Sequence, residues 1–178
     1  VELRIVDPDT GADAPTGTVG EVCTRSAFNM LGYWDKPEDT AHAIADWWLH
    51  TGDAGYLDEN GYLYLHDRIK DMVVSGGENI YPAEVENVLL AMAGVADAAV
   101  IGVPHDRWGE TVKAIVVPAP GATVDGASVI SFCRDRLAHF KCPTSVDVVD
   151  ALPRNPSGKV LKRELREPYW RDRERRIH

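Results

Sequence analysis

The hydropathy pattern of this chain changes at Asp67–Lys70, and that change limits the folds open to it. Before it come short alternating runs between turn residues: LRIV near the start, VGEVCTR, and a hairpin ending in YLYLH at His66. Alternation at period two marks half-buried strands. Residues 1–66 are therefore expected to be mostly β, with helix only around Glu38–Asp46. From Asp71 onward helices and strands alternate: strand Met72–Val74, helix Pro82–Met92, strands Ala98–Val103 and Thr111–Val117, helix Asp125–Ala138, strand Ser145–Val149. This pattern predicts an α+β fold with helices packed on a small mixed sheet. In the helix opening at Pro82, Val85, Val88, Leu89 and Met92 recur at helical spacing and should face the core.

Local chemistry sets the punctuation. Pro82 is preset for a first helical turn, and Glu84 and Glu86 lie near the positive end of that helix, where they read as surface charges. Gly76 and Gly77, after the short apolar strand, permit positive φ or close approach of backbone to a ligand. Asp53 sits between glycines in WLHTGDAGYLD and is expected on a turn, where a carboxylate can accept from two neighbouring hydroxyls or cap a hairpin. In PRNPSGKVLK, Pro153, Pro156 and Gly158 break any helix before Lys159, and Val160–Arg166 reads as a short helical turn. Lys159 is thus expected at a loop-to-helix junction. An ammonium on a flexible stem reaches a phosphate or carboxylate oxygen as a point charge.

Composition narrows the function classes. The chain has 178 residues and a net charge of −9, unevenly spread. Residues 1–66 hold 3 basic and 12 acidic side chains, whereas residues 151–178 hold 9 and 4. An acidic body argues against nucleic acid, whose binding rests on Lys/Arg contacts to phosphate. The basic end, with Arg171, Arg173, Arg175 and Arg176, is the one segment suited to an anionic membrane, and it reads as a solvated terminus. No apolar run is long enough to span a bilayer, and the composition agrees with a soluble intracellular fragment, so a cytoplasmic protein is expected. Cys23, Cys133 and Cys142 are odd in number and lack paired metal spacing, and the six histidines are scattered. Reduced structural thiols and no protein-bound metal are expected.

Several ordered motifs resemble the adenylate-forming superfamily of acyl-CoA synthetases, luciferases and peptide-synthetase adenylation domains: Thr51-Gly52-Asp53, Asp67-Arg68-Ile69-Lys70, Ser75-Gly76-Gly77-Glu78-Asn79 with Tyr81-Pro82-Ala83-Glu84, and Pro153–Lys159. Gly20-Glu21-Val22 and Leu31-Gly32-Tyr33-Trp34 extend the likeness toward the start. SGGENIYPAEVE and HFKCP are most similar to fatty-acyl and medium-chain CoA ligases. The resemblance implies that residues 1–66 end a large AMP-binding domain, residues 67–70 are a hinge and residues 71–178 form a C-terminal lid domain. A larger N-terminal domain with a phosphate loop and acyl pocket is then the missing partner, and this polypeptide alone is not expected to complete the reaction.

By the same resemblance, Lys159 is the adenylation lysine, bridging acyl carboxylate and α-phosphate of ATP bound with Mg²⁺ as substrate. Asp53 and Arg68 would hold ATP or AMP at the ribose or phosphates, and Lys70 would be the hinge residue. Gly76, Gly77 and Glu78 would border the pantetheine arm of CoA, with Arg107, Arg134 and Lys141 as candidates for its phosphates. Trp108 reads as a packing residue. The expected activity is a carboxylic acid, ATP and CoA giving acyl-CoA, AMP and diphosphate. The alternatives are a carrier-protein docking module without chemistry, and an adenylating enzyme with an acceptor other than CoA, such as an aryl-acid activator or a luciferase-like enzyme.

Overall fold

In the computed structural model, residues 1–171 are described, and the chain divides into two compact units, Val1–Lys70 and the residues from Asp71 onward. Arg173, Arg175 and Arg176 of the basic end lie outside the described residues. No helix among the described residues is long and apolar enough to cross a membrane.

The first unit is an antiparallel sheet centred on β4 (Trp48–Leu57). β1 (Glu2–Val6) pairs with β2 (Gly20–Arg25), and β2 pairs with β4. The other edge of β4 carries the two-residue β3 (Ile44–Ala45) and then β5 (Leu63–Arg68). Helix α1 (Pro37–Ala43) is shorter than the sequence predicts and precedes β3. Ile5, Val6, Val22, Cys23 and Ala54 are buried, whereas Phe28, Leu31, Trp34 and Trp47 are almost fully exposed. Thr51–Asp53 was expected as a turn but lies inside β4. β4 continues through Gly52 (φ +71) across a break in the ladder: β2 pairs with His50 and with Ala54, with a register shift between them, and β5 pairs with Asp53 and shifts register between Ala54 and Gly55. β5 likewise runs through Arg68, and a 3-10 turn covers Ile69–Asp71.

The second unit is built on a long hairpin, β8 (Val95–His105) and β9 (Gly109–Pro118). Both strands extend well beyond the expected limits because their pairing continues to the Arg107–Trp108 turn. A small hairpin, β6 (Val73–Ser75) and β7 (Glu78–Ile80), joins the Gly109 end of β9, and β10 (Ser145–Val148) pairs with β9 in parallel. The sheet is therefore mixed, as the sequence predicts. Helices α2 (Pro82–Leu90), α3 (Gly126–Arg134) and α4 (Lys162–Trp170) complete the unit. Pro82 stands at the start of α2, and the Asp125 carboxylate caps α3 by accepting from the Ser128 amide at 3.0 Å.

Period-two alternation sends the hairpin side chains into two cores. Ala98, Val100, Val112, Ala114 and Val116 pack with Val85 and Leu89 of α2 and with Val129 and Cys133 of α3. Ala99, Ile101, Val103 and Ile115 pack on the opposite face with Leu152, Val160, Leu165 and Tyr169. The stretch leading to Lys159 and helix α4 thus share one face of the sheet.

Leu89 has no exposed surface. Leu89→Ala should lower the unfolding free energy of this unit by about 2–5 kcal/mol, through lost burial plus a cavity, as measured by urea denaturation.

Candidate functional site

Lys159 stands on a tight turn rather than at the start of a helix; α4 begins three residues later. The turn is closed like a short hairpin: Arg154 bridges Val160, the Asn155 amide donates to the Lys159 carbonyl at 2.9 Å, and the Leu161 amide donates to the Pro153 carbonyl at 2.8 Å. Asn155 Oδ1 accepts from the Ser157 amide (3.1 Å), the Ser157 hydroxyl (2.8 Å) and the Lys159 amide (2.9 Å). Gly158 has φ +84, a left-handed conformation that other residues adopt only at a cost. Buried Leu152 and half-buried Val160 pin the base of the turn to the sheet. The backbone of Lys159 is thereby fixed while its side chain is exposed, and its ammonium has no partner among the described residues.

Several neighbouring cations of the same unit are committed. Lys162 pairs with Glu86 at 2.8 Å, with both side chains less than one-fifth exposed, and Glu86 also accepts from the Val100 amide at 2.8 Å. Arg166 pairs with Asp71 at 2.9 Å. Lys113, buried on the α4 face, pairs with Asp147 at 2.7 Å, and the Tyr169 hydroxyl donates to the same carboxylate. Burial alone would raise the Asp147 carboxyl, but the hydrogen bonds from Lys113 and Tyr169 outweigh it and hold the group below its usual range. Burial, with Asp147 beside it, pushes Tyr169 up to about 12. Lys141 donates to both oxygens of Glu84 at 2.8 and 2.7 Å. Glu84 and Glu86, expected as surface charges, are therefore ion-pair partners. The physical reason is that α2 lies where Lys141 and Lys162 arrive from distant parts of the chain.

The Gly76–Gly77 turn joins β6 to β7, and both glycines have positive φ, +61 and +89. They serve different purposes. A Cβ on Gly76 would lie 2.8 Å from the Trp108 ring, and the Gly76 amide donates to the Trp108 carbonyl at 3.0 Å. Nothing lies within 4 Å of a Cβ built on Gly77, so its backbone is open to a ligand. Trp108 packs on Gly76 and carries the Arg107 guanidinium 4.3 Å from its ring centroid. Glu78 begins β7 and is exposed. Arg107 thus shares the Gly76 locality, and it helps line an open cleft of about 570 Å³ with His105, Lys113, Ser145 and Tyr169. Arg134 ends α3 and is exposed, and no hydrogen bond or ion pair joins it to the glycine turn.

In the first unit, Asp53 and Arg68 are register partners on β4 and β5, and Asp53 Oδ1 lies 3.0 Å from Arg68 Nη1. The Asp53 amide donates to Thr51 Oγ1 at 3.1 Å, and that hydroxyl donates to the Val22 carbonyl at 2.7 Å. The second carboxylate oxygen of Asp53 remains available. Lys70 is exposed in the 3-10 turn. The scattered spacing of histidines and cysteines predicts no mixed donor cluster, yet strand pairing gathers Glu21, Cys23 and His50, with donor atoms within 4.8 Å of one another. His50 Nδ1 lies 2.7 Å from Glu21 Oε2 and 3.5 Å from Cys23 Sγ, while Glu21 Oε1 accepts from the Gly52 amide at 3.0 Å. Burial, with Glu21 beside it, pushes the Cys23 thiol up to about 11. The cluster is closed on itself by these bonds, and it braces the Thr51–Asp53 segment.

Residues 84–159, which include the Lys159 turn, match the AMP-binding enzyme C-terminal domain. The chain thus contains the C-terminal domain of AMP-binding enzymes. It is 48% identical over all 178 residues to the fatty acid–[acyl-carrier-protein] ligase ScoC of Streptomyces coeruleorubidus, covering 34% of that protein. It is also 48% identical to a feruloyl-CoA synthase of an Amycolatopsis species, covering 94% of this chain and 34% of that one. The structure of ATP-bound MatB from Rhodopseudomonas palustris superposes with a TM-score of 0.88 at 45% identity, covering 94% of this chain and 34% of that one. The chain thus spans about a third of the length of the relatives it matches.

For a member of this family, the residues that sequence reasoning missed are the ones that commit the other cations: Glu86, Lys162, Asp71, Arg166 and the Lys113–Asp147–Tyr169 group. Their only sequence signal is charge within amphipathic stretches, which does not name partners. Lys159 and Lys162, close in sequence, should separate in a stability assay. Lys162→Met leaves a carboxylate poorly compensated in a largely buried place and should cost about 3 kcal/mol. Lys159→Met should change thermal stability by less than about 0.5 kcal/mol.

Proposed function

We propose that this chain is the C-terminal part of an ATP-dependent acid–thiol ligase that works through an acyl-adenylate. The observation that carries the proposal is Lys159: an unpaired ammonium on a fixed turn, in a unit where Lys113, Arg154, Lys162 and Arg166 are each held by a carboxylate. In the first half-reaction a carboxylate oxygen of the acid attacks the α-phosphorus of ATP, supplied as its magnesium complex, and diphosphate leaves. Lys159 places positive charge between carboxylate and phosphate oxygens, where negative charge concentrates in the transition state. A partnered lysine could not do this without first breaking its pair. In the second half-reaction the acceptor sulfur attacks the acyl carbon and AMP leaves.

Asp53 is assigned to the ribose, accepting from its hydroxyls through the oxygen that Arg68 does not engage, and Arg68 to the ribose or phosphates. Lys70 is the proposed hinge residue, with residues 1–66 as the end of a large AMP-binding domain and residues 71–178 as the lid. Exchange of catalytic poses by rotation of a lid supplies different groups to the two half-reactions. The open backbone at Gly77, with Gly76, Glu78 and Arg134, is assigned to CoA, and Arg107 joins them on its contact with Trp108. The large domain is the proposed partner, and the exposed Phe28, Leu31, Trp34 and Trp47 support a covered surface in the first unit. A fatty acid is the proposed acyl class, on the SGGENIYPAEVE and HFKCP motifs and on similarity to a long-chain fatty-acid–CoA ligase of Mycobacterium tuberculosis. The cytoplasm is the proposed location, since the proposed reaction draws on free ATP and CoA.

A second reading replaces CoA with the thiol of an acyl carrier protein. It is favoured by the match to ScoC, whose name gives that acceptor and whose likeness extends along the whole chain.

In the complete ligase, Lys159→Ala should slow acyl-AMP formation on the order of 10² to 10³-fold and leave thioester formation from supplied acyl-adenylate intact. Unimpaired adenylation would reduce the domain to a docking module. Running the second assay with CoA and with holo acyl carrier protein in parallel separates the two acceptors. Asp53→Ala should weaken ATP binding, and unchanged affinity in calorimetric titration would remove the ribose assignment.

A further inference from the structure

The turn that carries Lys159 is held from within by Asn155 and at its base by Leu152 and Val160, and a further side chain, Arg154, ties its tip to the sheet. The Arg154 guanidinium reaches in two directions. Nη1 donates to the carbonyl of Gly158, the residue immediately before Lys159, at 2.5 Å. Nη2 donates to Asp97 Oδ2 at 2.5 Å. Asp97 belongs to β8, beside the register shift that follows Val95, and its other oxygen accepts from the Ala98 amide at 3.0 Å. The carboxylate is therefore itself fixed to the strand. A guanidinium is a rigid planar fork, so one group engaged at both ends sets the position of the Gly158 peptide relative to β8.

The magnitude of the interaction says what it is for. The Arg154 and Asp97 side chains are 42% and 29% exposed, and an ion pair so accessible to water adds little to stability. Its geometric effect is larger, because the Gly158 carbonyl and the Lys159 nitrogen belong to one peptide plane. The bonds from Asn155 to Ser157 and Lys159 keep the turn's shape and Leu152 and Val160 hold its base on the sheet, whereas the Arg154–Asp97 link acts at its tip and sets the tilt of the Gly158 peptide.

We propose that Arg154 is a positioning residue for Lys159, with Asp97 as its anchor, and that the pair aims the ammonium for the adenylation step. The inference rests on the reading of Lys159 as the adenylation lysine. Arg154 touches no substrate in this scheme and acts through the Gly158–Lys159 peptide.

The test compares Arg154→Gln, Lys159→Ala and the double variant in the complete ligase, with both half-reactions and the melting temperature measured. Arg154→Gln should lower kcat for acyl-AMP formation about 10- to 100-fold, as expected for a misdirected catalytic group. The KM for ATP, thioester formation from supplied acyl-adenylate and the melting temperature should not move. The double variant should be no slower than Lys159→Ala. Amide hydrogen exchange at Gly158 and Lys159 should speed up in Arg154→Gln, a readout independent of activity. Full adenylation by Arg154→Gln, where Lys159→Ala is inactive, would overturn the positioning role alone. So would equal loss of both half-reactions, or a further loss in the double variant. Intact adenylation by Lys159→Ala would overturn the functional reading and this inference with it.

Discussion

Alternate side chains of β8 and β9 are buried on opposite faces of one hairpin, and the second unit is arranged to cover both of them. A strand pair without a solvent face needs partners on each side, which is why its sequence reads as nearly continuous apolar residues. Helices α2 and α3 cover one face. Leu152, Val160 and α4 cover the other, so the segment between Leu152 and Val160 emerges from a packed layer rather than from a loose tail. Lys159 is presented at a defined height above the sheet because the residues on each side of its turn are anchored there.

Charge is arranged around that scaffold with a clear division. Lys113, Lys141, Lys162 and Arg166 each meet a carboxylate of the same unit. Several of these pairs are largely shielded from water, where an uncompensated charge is expensive. Lys162 and Arg166 tie α4 to α2 and to the residue that opens the unit, Lys113 ties β9 to β10, and the Tyr169 hydroxyl joins α4 to the same β10 carboxylate. Lys159 stands outside this set. Exposure leaves its side chain open to a ligand, and ordering of its backbone limits the directions in which it can reach.

The first unit uses strand pairing for the same end. Register places Asp53 opposite Arg68, and the bonds from Thr51 to Val22 and from Gly52 to Glu21 hold that part of β4 to β2. A short carboxylate on a strand braced at both edges has few conformations to lose when it binds hydroxyl groups. The family match over residues 84–159 covers the Lys159 turn, while the first unit is covered by the whole-chain likeness to ScoC.

What the sequence determined by itself was local. Period-two runs marked the β-rich first unit, helical spacing marked the buried face of α2, and Pro153, Pro156 and Gly158 marked a break before Lys159; each depends on neighbours a few residues apart. The adenylate-forming family was legible too, since its motifs are short and ordered. Tertiary structure decided the rest. Thr51–Asp53 lies within a strand because β2 pairs with His50 and Ala54 on either side of it and β5 pairs with Asp53, so the flanking ladders outweigh the turn chemistry at Gly52. Glu86 found Lys162, Asp71 found Arg166, and Glu21, Cys23 and His50 met across strands. Any of the acidic side chains satisfies a lysine equally well on paper, and only the packing of apolar faces selects which pair comes within reach. That selection left Lys159 unpaired, and the local sequence around it could not have said so.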